Sequence, residues 1–198
     1  MYLKKKIKSI LSRLGIRSMK LYVMQTEIDI DAINSRISLL FNSFPYQIME
    51  LSYEDFLKGE KSFYTKKKLN KYKKWFKDSN RKAYGVIIDN KLVYSSWVCL
   101  DKVEITNKTS LKSYENVGLL QEDYCSIKYR GRGLQKYSIL MRVKVVYGKG
   151  RDKAIGIVRI DNTPSIKAFE NGTFKIVDTI ELISLFGKEF VRKITYDC

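Results

Sequence analysis

The feature that most constrains the fold of this chain is a glycine-bearing turn that joins a strand-like run to a helix-like run. Residues 116–127 predict a strand, residues 134–147 predict a helix, and the glycines at positions 131 and 133 lie between them. Residues 153–160 predict a second strand after the helix. A strand, a helix and a further strand in this order are typical of a layered α/β domain, in which helices cover a sheet.

The rest of the chain adds hairpins and helices to this unit. The clearest hairpin spans residues 82–100, where two β-rich runs flank Asp89 and Asn90, and a second is predicted over 174–196 with its turn near Gly187. The other predicted elements are a strand at 20–25 and helices at 3–14, from Asp29 or Asp31 to about residue 42, at 53–77 in two pieces broken near Gly59, and at 164–170. Residues 101–115 are polar and predict no defined element.

These elements predict an α/β fold with a mixed, mostly antiparallel central sheet that is flanked by helices. An extra amphipathic helix is expected at the N-terminus. We divide the chain into a basic amphipathic helix at residues 1–18 and a single domain at residues 19–198. The apolar fraction of 44% suits one domain with a hydrophobic core.

The composition excludes several kinds of catalysis. The chain contains no histidine, so Ser–His and Cys–His catalysis, HExxH metal sites and histidine general bases are ruled out. The three cysteines show no CxxC spacing, so neither a disulfide framework nor a zinc site is predicted, and we expect a reducing, cytoplasmic compartment. No apolar run reaches the roughly 20 residues that cross a bilayer. Lysines also interrupt every stretch that could serve as a secretory signal.

The loop from Cys125 to Gln135 has the residue types of an anion-binding site. Its glycines let the backbone approach an anion closely, and the first N–H groups of the following helix are unpaired and point outward. Arg130 and Arg132 add positive charge. These features suit a diphosphate, although a plain strand-to-helix turn would need the same glycines.

This loop resembles the acyl-CoA-binding motif of the GNAT superfamily of N-acetyltransferases. The matching residues are Tyr129, Arg130, Gly131, Gly133 and Leu134. Gln135 stands where Gly or Ala is usual, and Ile127 stands where Pro is common.

A second segment resembles the signature that follows the loop at the usual distance in this family. The matching residues are Asn162, Ser165, Phe169, Glu170 and Phe174. Thr173 replaces the usual Gly, although Gly172 lies beside it. Together the two segments imply the GNAT fold over about residues 82–196 and acetyl-CoA as the co-substrate.

The resemblance implies that the strand before the loop splays from its neighbour, and that the cofactor site runs from the end of this strand into the next helix. Main-chain groups at the strand end would bind the pantetheine arm, and a main-chain N–H there would polarise the thioester carbonyl. Asn162 would contact the pantetheine arm, and Phe169 would pack against the cofactor. The implied cofactor-binding residues are Cys125, Ser126, Ile127, Arg130, Gly131, Arg132, Gly133, Leu134, Gln135, Asn162, Ser165 and Phe169.

The implied reaction is direct attack of a primary amine on acetyl-CoA, or a related acyl-CoA, in a ternary complex without a metal. Glu122 and Asp123 are the candidate general bases, and strand alternation puts them on opposite faces, so only one can face the acceptor. Both are equally explained as surface or strand-edge charges. Many family members use a tyrosine at position 169 to protonate the leaving thiolate. Phe169 cannot do so, which leaves a water, another tyrosine or unassisted departure.

Cys125 lies where a nucleophile would be looked for, at the implied end of the strand. No histidine is present to activate its thiol, and a buried cysteine is more often a small apolar residue.

Residues 61–82 form one of two basic patches behind the net charge of +17, with ten Lys and Arg and one acid. The patch is explained by the solvated face of an amphipathic helix or by a nucleic-acid surface. A third interpretation is a basic wall of the acceptor groove, in which Lys67, Lys71 and Lys74 bind an anionic acceptor such as a nucleotide-linked amino sugar. We expect no specific nucleic acid, because no nucleic-acid motif is present.

Residues 1–26 form the second basic patch, with seven Lys and Arg and no acid. The predicted helix within residues 1–18 would lie on an anionic membrane as a peripheral contact, pack on the domain, or serve as a presequence. The alternative function is therefore a CoA-binding module without catalysis that associates with nucleic acid or a membrane.

Overall fold

The computed structural model describes residues 16–41 and 45–194, and the helix predicted at 3–14 lies outside this range. Within the described residues the chain forms ten strands, five α-helices and a 3-10 helix at Ile127–Tyr129. The strands are β1 Ile16–Glu27, β2 Met49–Glu50, β3 Arg81–Ile88, β4 Lys91–Cys99, β5 Val103–Thr106, β6 Thr109–Leu111, β7 Val117–Cys125, β8 Lys153–Arg159, β9 Lys175–Leu185 and β10 Lys188–Lys193. The helices are α1 Ile30–Phe41, α2 Tyr53–Leu57, α3 Lys66–Trp75, α4 Leu134–Gly148 and α5 Thr163–Asn171.

Eight of these strands form one sheet in the order β10–β9–β1–β8–β7–β4–β3–β2. Among the described strands, β7 and β8 are the neighbours that run parallel, and the other pairs are antiparallel. The predicted fold class, a mixed and mostly antiparallel sheet flanked by helices, is confirmed. Residues 101–115, for which no element is predicted, form the separate β5–β6 ribbon.

The first described strand corrects a predicted boundary. β1 begins at Ile16, so residues 16–18 of the segment assigned to a helix at 1–18 belong to the sheet. β1 lies between β8 and β9, and both of its edges are paired. Its side chains at Leu21, Val23 and Met24 are buried, as expected of an interior strand covered on both faces.

Local signals explain several of the elements. Asp89 and Asn90 have φ angles of 48° and 57°, the conformation of a two-residue hairpin turn between right-twisted strands. Asp29 caps α1, because its Oδ1 accepts a hydrogen bond from the amide of Ala32 at 3.0 Å. The second hairpin turns at Phe186 and Gly187, both with positive φ.

The two faces of the sheet carry different helices. Val98 of β4 packs with the buried face of α4, whereas its neighbour Trp97 packs with α2 and α3, because successive strand residues point to opposite faces. An aromatic cluster fills the α2–α3 side, where Phe56 lies 4.9 Å from Tyr72 and 5.6 Å from Trp97 between ring centroids. These clusters fix α3 on one side of β7 and α4 on the other.

Candidate functional site

The parallel strands β7 and β8 separate partway along their length. They pair from Val117 with Lys153 to Leu120 with Gly156. β7 continues to Cys125 and β8 to Arg159, so residues 121–125 and 157–159 are not paired with each other. We call the space between these two strand ends the cleft, and the backbone groups that face it are not paired across it. This is the separation that the family resemblance implies.

A β-bulge lies where β7 begins to diverge. Gln121 pairs with Trp97 and Tyr124 pairs with Ser95, so β7 carries one more residue than β4 in this interval. Glu122 has a φ of 55°, which is uncommon for a residue other than glycine. A bulge turns side chains out of strict alternation, and here it directs Glu122 toward α3.

Glu122 is held by three side chains of α3. Its Oε1 lies 2.7 Å from Nζ of Lys71, its Oε2 accepts a hydrogen bond from the Tyr72 hydroxyl at 2.9 Å, and Nζ of Lys68 lies 3.7 Å from Oε2. Burial alone would raise the pKa of Glu122, but these three groups outweigh burial and lower it. Glu122 is therefore an ionised carboxylate, with 28% of its side chain exposed.

Asp123 points to the opposite face, as alternation predicts. Its Oδ1 lies 2.6 Å from Nη2 of Arg142, whose side chain is fully buried in α4, and it also accepts a hydrogen bond from the Tyr94 hydroxyl. Arg142 donates a further hydrogen bond to the carbonyl of Trp97 at 3.2 Å. These contacts join β7, β4 and α4, so they hold Asp123 in the core.

The end of β7 presents backbone groups to the cleft. The amide of Ser126 donates to the carbonyl of Val93 at 2.9 Å, so it faces β4. Successive strand amides point to opposite edges, and the amide of Cys125 therefore faces the edge that β8 has left. Nε of Arg130 donates to the Cys125 carbonyl at 3.1 Å, and Ile127 is 73% exposed. Burial raises the pKa of the Cys125 thiol, which does not favour a nucleophile.

The glycines of the loop stand in open space. Gly131 and Gly133 have φ angles of 74° and 76°, and a Cβ on either would meet no described atom within 4 Å. Gly133 precedes α4, and no described side chain caps this helix. Arg132 donates a hydrogen bond to the Tyr46 hydroxyl at 2.8 Å. An open helix N-terminus beside two arginines is suited to an anion such as a phosphate.

The second motif touches the first at the start of α4. Asn162 caps α5, with its Oδ1 accepting from the amide of Ser165 at 3.4 Å. Nε2 of Gln135 donates to Oγ of Ser165 at 3.2 Å. The residue that stands in place of the usual Gly or Ala thus ties the two motifs together.

Phe169, predicted to pack against the cofactor, has a buried ring in this structure. Its ring is 2% exposed and lies 4.9 Å from the Phe174 ring between centroids. A Cβ on Gly156 would come within 2.3 Å of this ring, so the phenylalanine packs tightly behind the last paired residue of β8. In this structure the side chain is a core residue beneath the cleft.

The three lysines predicted as one wall separate into two groups. Lys71 is half-buried and paired with Glu122, whereas Lys67 and Lys74 are exposed on α3. Lys68 and Tyr72 share the inward face with Lys71, and sequence reasoning did not select either as a site residue. The sequence did offer one signal for them. Lys68 lies three residues before Lys71 and four before Tyr72, a spacing that places the three side chains on one face of a helix.

The described residues contain no group of three His, Cys, Asp or Glu side chains that could hold a metal ion. No helix in the described part of the chain is long and apolar enough to cross a membrane.

Comparisons with known proteins give matches among solved structures. No protein-family model and no curated protein matches the sequence. A putative GNAT-family acetyltransferase from Novosphingobium aromaticivorans is 16% identical with a TM-score of 0.55, and the match covers 91% of this chain and 69% of that chain. The aminoglycoside N-acetyltransferase AAC(6′)-Iy is 14% identical with a TM-score of 0.50, covering 66% of this chain and 90% of that chain.

A longer Drosophila protein is also similar, at 14% identity and a TM-score of 0.59. The match covers 94% of this chain but only 58% of the Drosophila chain. Structural similarity to acetyltransferases, the diverging parallel strands and the two sequence motifs agree with one another. The chain therefore has the GNAT acetyltransferase fold.

Proposed function

We propose that this protein transfers an acetyl group from acetyl-CoA to a primary amine. The observation that carries the proposal is the divergence of β7 and β8 directly before an uncapped helix with open glycines at 131 and 133. The similar enzyme AAC(6′)-Iy has been solved with a bisubstrate analog of CoA and acetylneamine. We propose that this chain likewise binds CoA, in its acetylated form, acetyl-CoA.

In this proposal the diphosphate of acetyl-CoA binds at the start of α4. Gly131 and Gly133 allow its close approach, and Arg130 and Arg132 balance its charge. The pantetheine arm lies in the cleft. There the amide of Cys125 donates to the thioester oxygen and stabilises the negative charge that develops during attack.

The chemical step is acyl transfer without a covalent enzyme intermediate. The neutral amine nitrogen attacks the thioester carbonyl carbon, a C–N bond forms, the C–S bond breaks, and the electron pair leaves on sulfur. The nitrogen loses a proton, which we assign to Glu122. A thiol pKa of about 8.5 lets the thiolate leave without a donor at position 169.

Glu122 is favoured over Asp123 as the base because of their different partners. Asp123 is held by a buried arginine and its side chain is 14% exposed, whereas 28% of the Glu122 side chain is exposed. A carboxylate with a lowered pKa is a weak base. It still serves here because the attacking nitrogen becomes strongly acidic once it is bonded to the carbonyl carbon.

The proposed acceptor carries negative charge. Lys67 and Lys74 lie exposed on α3, the helix that holds Glu122. Positive charge at this position would attract an amine that also bears a phosphate or carboxylate, such as a nucleotide-linked amino sugar.

The experiment that tests this function is a thermal-shift screen followed by an acceptor screen. Acetyl-CoA and CoA should raise the Tm, while pantetheine, which lacks the diphosphate, should not. Amines from the four classes of amino sugar, polyamine, peptide and antibiotic are then tested for release of the CoA thiol. A chain whose Tm does not respond to acetyl-CoA, CoA or longer acyl-CoAs would contradict the proposal.

A further inference from the structure

The ammonium group of Lys68 occupies an unusual position on α3. Its Nζ lies 3.3 Å from the centroid of the Phe63 ring and 3.7 Å from Oε2 of Glu122. The Phe63 ring stacks on Tyr124 with 3.5 Å between centroids. Tyr124 lies in the part of β7 that is not paired with β8. A primary amine of the chain itself therefore lies beside the end of the diverging strand.

The surroundings of this ammonium group have the chemistry that recognises an amine. An aromatic face attracts a cation through its quadrupole, and a carboxylate accepts its hydrogen bonds. Here the carboxylate belongs to Glu122, the residue assigned to take the proton from the acceptor amine. Lys68 thus occupies the position in which the amine of an external acceptor would meet the same groups.

We propose that Lys68 is itself an acetyl acceptor, so that the protein acetylates its own side chain from acetyl-CoA. The inference rests on the proposed function, because acetyl-CoA bound at α4 is the donor. Neutral Nζ of Lys68 attacks the thioester carbon, a C–N bond forms, and the C–S bond breaks. CoA leaves as the thiolate, and the proton released by nitrogen passes to Glu122 and then to water.

The environment of Lys68 makes its ammonium group easier to deprotonate than that of an ordinary exposed lysine. Burial lowers the pKa of Lys68, the positive charge of Lys71 lowers it further, and Glu122 opposes both without cancelling them. The side chain of Lys68 remains 23% exposed. Lys67, the preceding residue on the same helix, is exposed to solvent and is a natural internal comparison.

The test is incubation of the full chain with acetyl-CoA, followed by peptide mass spectrometry over time. Lys68 should be acetylated about tenfold faster than Lys67 or Lys74, because of these three lysines it is the one that lies beside Glu122. The rate should not depend on protein concentration, since the reaction is intramolecular. Glu122→Gln should slow it, and Lys68→Arg should remove the modified peptide.

Two matched glycine variants distinguish self-acetylation by bound acetyl-CoA from direct chemical acetylation of surface lysines. Gly133→Asp places a bulky negative charge in the proposed diphosphate site, whereas Gly150→Asp places the same residue in an equally open turn, with a φ of 74°, at the other end of α4. Gly133→Asp should slow acetylation of Lys68 but not of Lys67. Gly150→Asp should leave both rates unchanged.

The results distinguish failure of the self-acetylation inference from failure of the proposed function. Equal rates at Lys68 and Lys67, or a Lys68 rate unaffected by Gly133→Asp, would overturn self-acetylation. If the protein acetylates a free amine while Lys68 stays unmodified, the inference is wrong and the proposed function stands. Failure of acetyl-CoA to bind would overturn both.

Discussion

The ammonium group of Lys71 lies 2.7 Å from the carboxylate of Glu122, at the bulge where β7 leaves β8. The lysine comes from a helix and the glutamate from a strand 51 residues later in the chain. Together with Lys68 it keeps the pKa of Glu122 below its ordinary value. The pair therefore sets the protonation state of the residue that we propose as the base.

Removing Lys71 should move the pH dependence of the reaction. The base is active when ionised, so kcat falls as the pH drops through the pKa of Glu122. Lys71→Met removes an attraction that favours the carboxylate, so the pKa of Glu122 rises and the acid limb of the kcat profile shifts to higher pH. Lys73→Met, an exposed site on the same helix, is the control and should leave the limb in place.

The same experiment includes Glu122→Gln, which should lower kcat by on the order of 10²-fold at neutral pH. The loss should shrink at high pH, where hydroxide can take the proton from the nitrogen after attack. An unchanged profile in both the Lys71 and Glu122 variants would mean that Glu122 does not accept this proton and that positioning alone drives the reaction.

We predict that Asp123 stabilises the fold and does not act in catalysis, and removal of its partner Arg142 tests this. Arg142→Met leaves a buried carboxylate without its cation and should destabilise the protein by about 3–5 kcal/mol in urea unfolding. Asp123→Asn should cost a similar amount, with kcat of the folded fraction largely retained. The double variant Asp123→Asn/Arg142→Met should lose less than the sum of the two single losses. If Asp123→Asn stays stable but loses about 10²-fold in kcat, Asp123 is the base instead.

Much of the fold follows from local sequence signals, and the pairing of distant segments does not. The turn at Asp89 and Asn90 and the loop glycines have the backbone angles that their residue types favour. The insertion of β1 between β8 and β9 brings together segments that are far apart in the chain, and no local pattern encodes it. The short β5–β6 ribbon was missed because its strands have three or four residues, too few for a periodic signal.

For the candidate site too, the sequence predicted local features but not the contacts between distant segments. The loop motif located the open glycines, and alternation correctly placed Glu122 and Asp123 on opposite faces. The partners of these carboxylates, Lys68 and Arg142, were not identified, because each lies on a helix whose packing on the sheet is fixed by distant contacts. The bulge at Glu122 also has no sequence signal of its own, since neither of its residues is glycine.

Two truncations test whether the membrane contact predicted for the N-terminal residues can be removed without disturbing the fold. Deleting residues 1–15 should leave the sheet intact, because β1 begins at Ile16, and should release the protein from anionic vesicles. Deleting residues 1–18 also removes the pairs that residues 16–18 make with β9. The longer deletion should lower the Tm by about 2–4 °C for each kcal/mol lost. Vesicle binding that survives the shorter deletion would refute the proposed contact.

Charge on the outer face of α3 should affect the acceptor and not the cofactor. Lys67→Gln/Lys74→Gln should raise KM for an anionic acceptor by about two- to fivefold, the scale of exposed ionic contacts. The Kd of acetyl-CoA should not change. Lys66→Gln/Lys73→Gln removes the same charge from other exposed positions of α3 and serves as the control. Equal effects of the two double variants would indicate that only net charge matters.

The central claim, that acetyl-CoA binds at the start of α4, is tested most directly by calorimetric titration of acetyl-CoA into three proteins. The wild type and Gly150→Asp should bind with equal Kd values in the micromolar range. Gly133→Asp should bind at least about tenfold more weakly, because its carboxylate occupies the open helix N-terminus proposed for the diphosphate. Equal affinity in all three proteins would contradict the account.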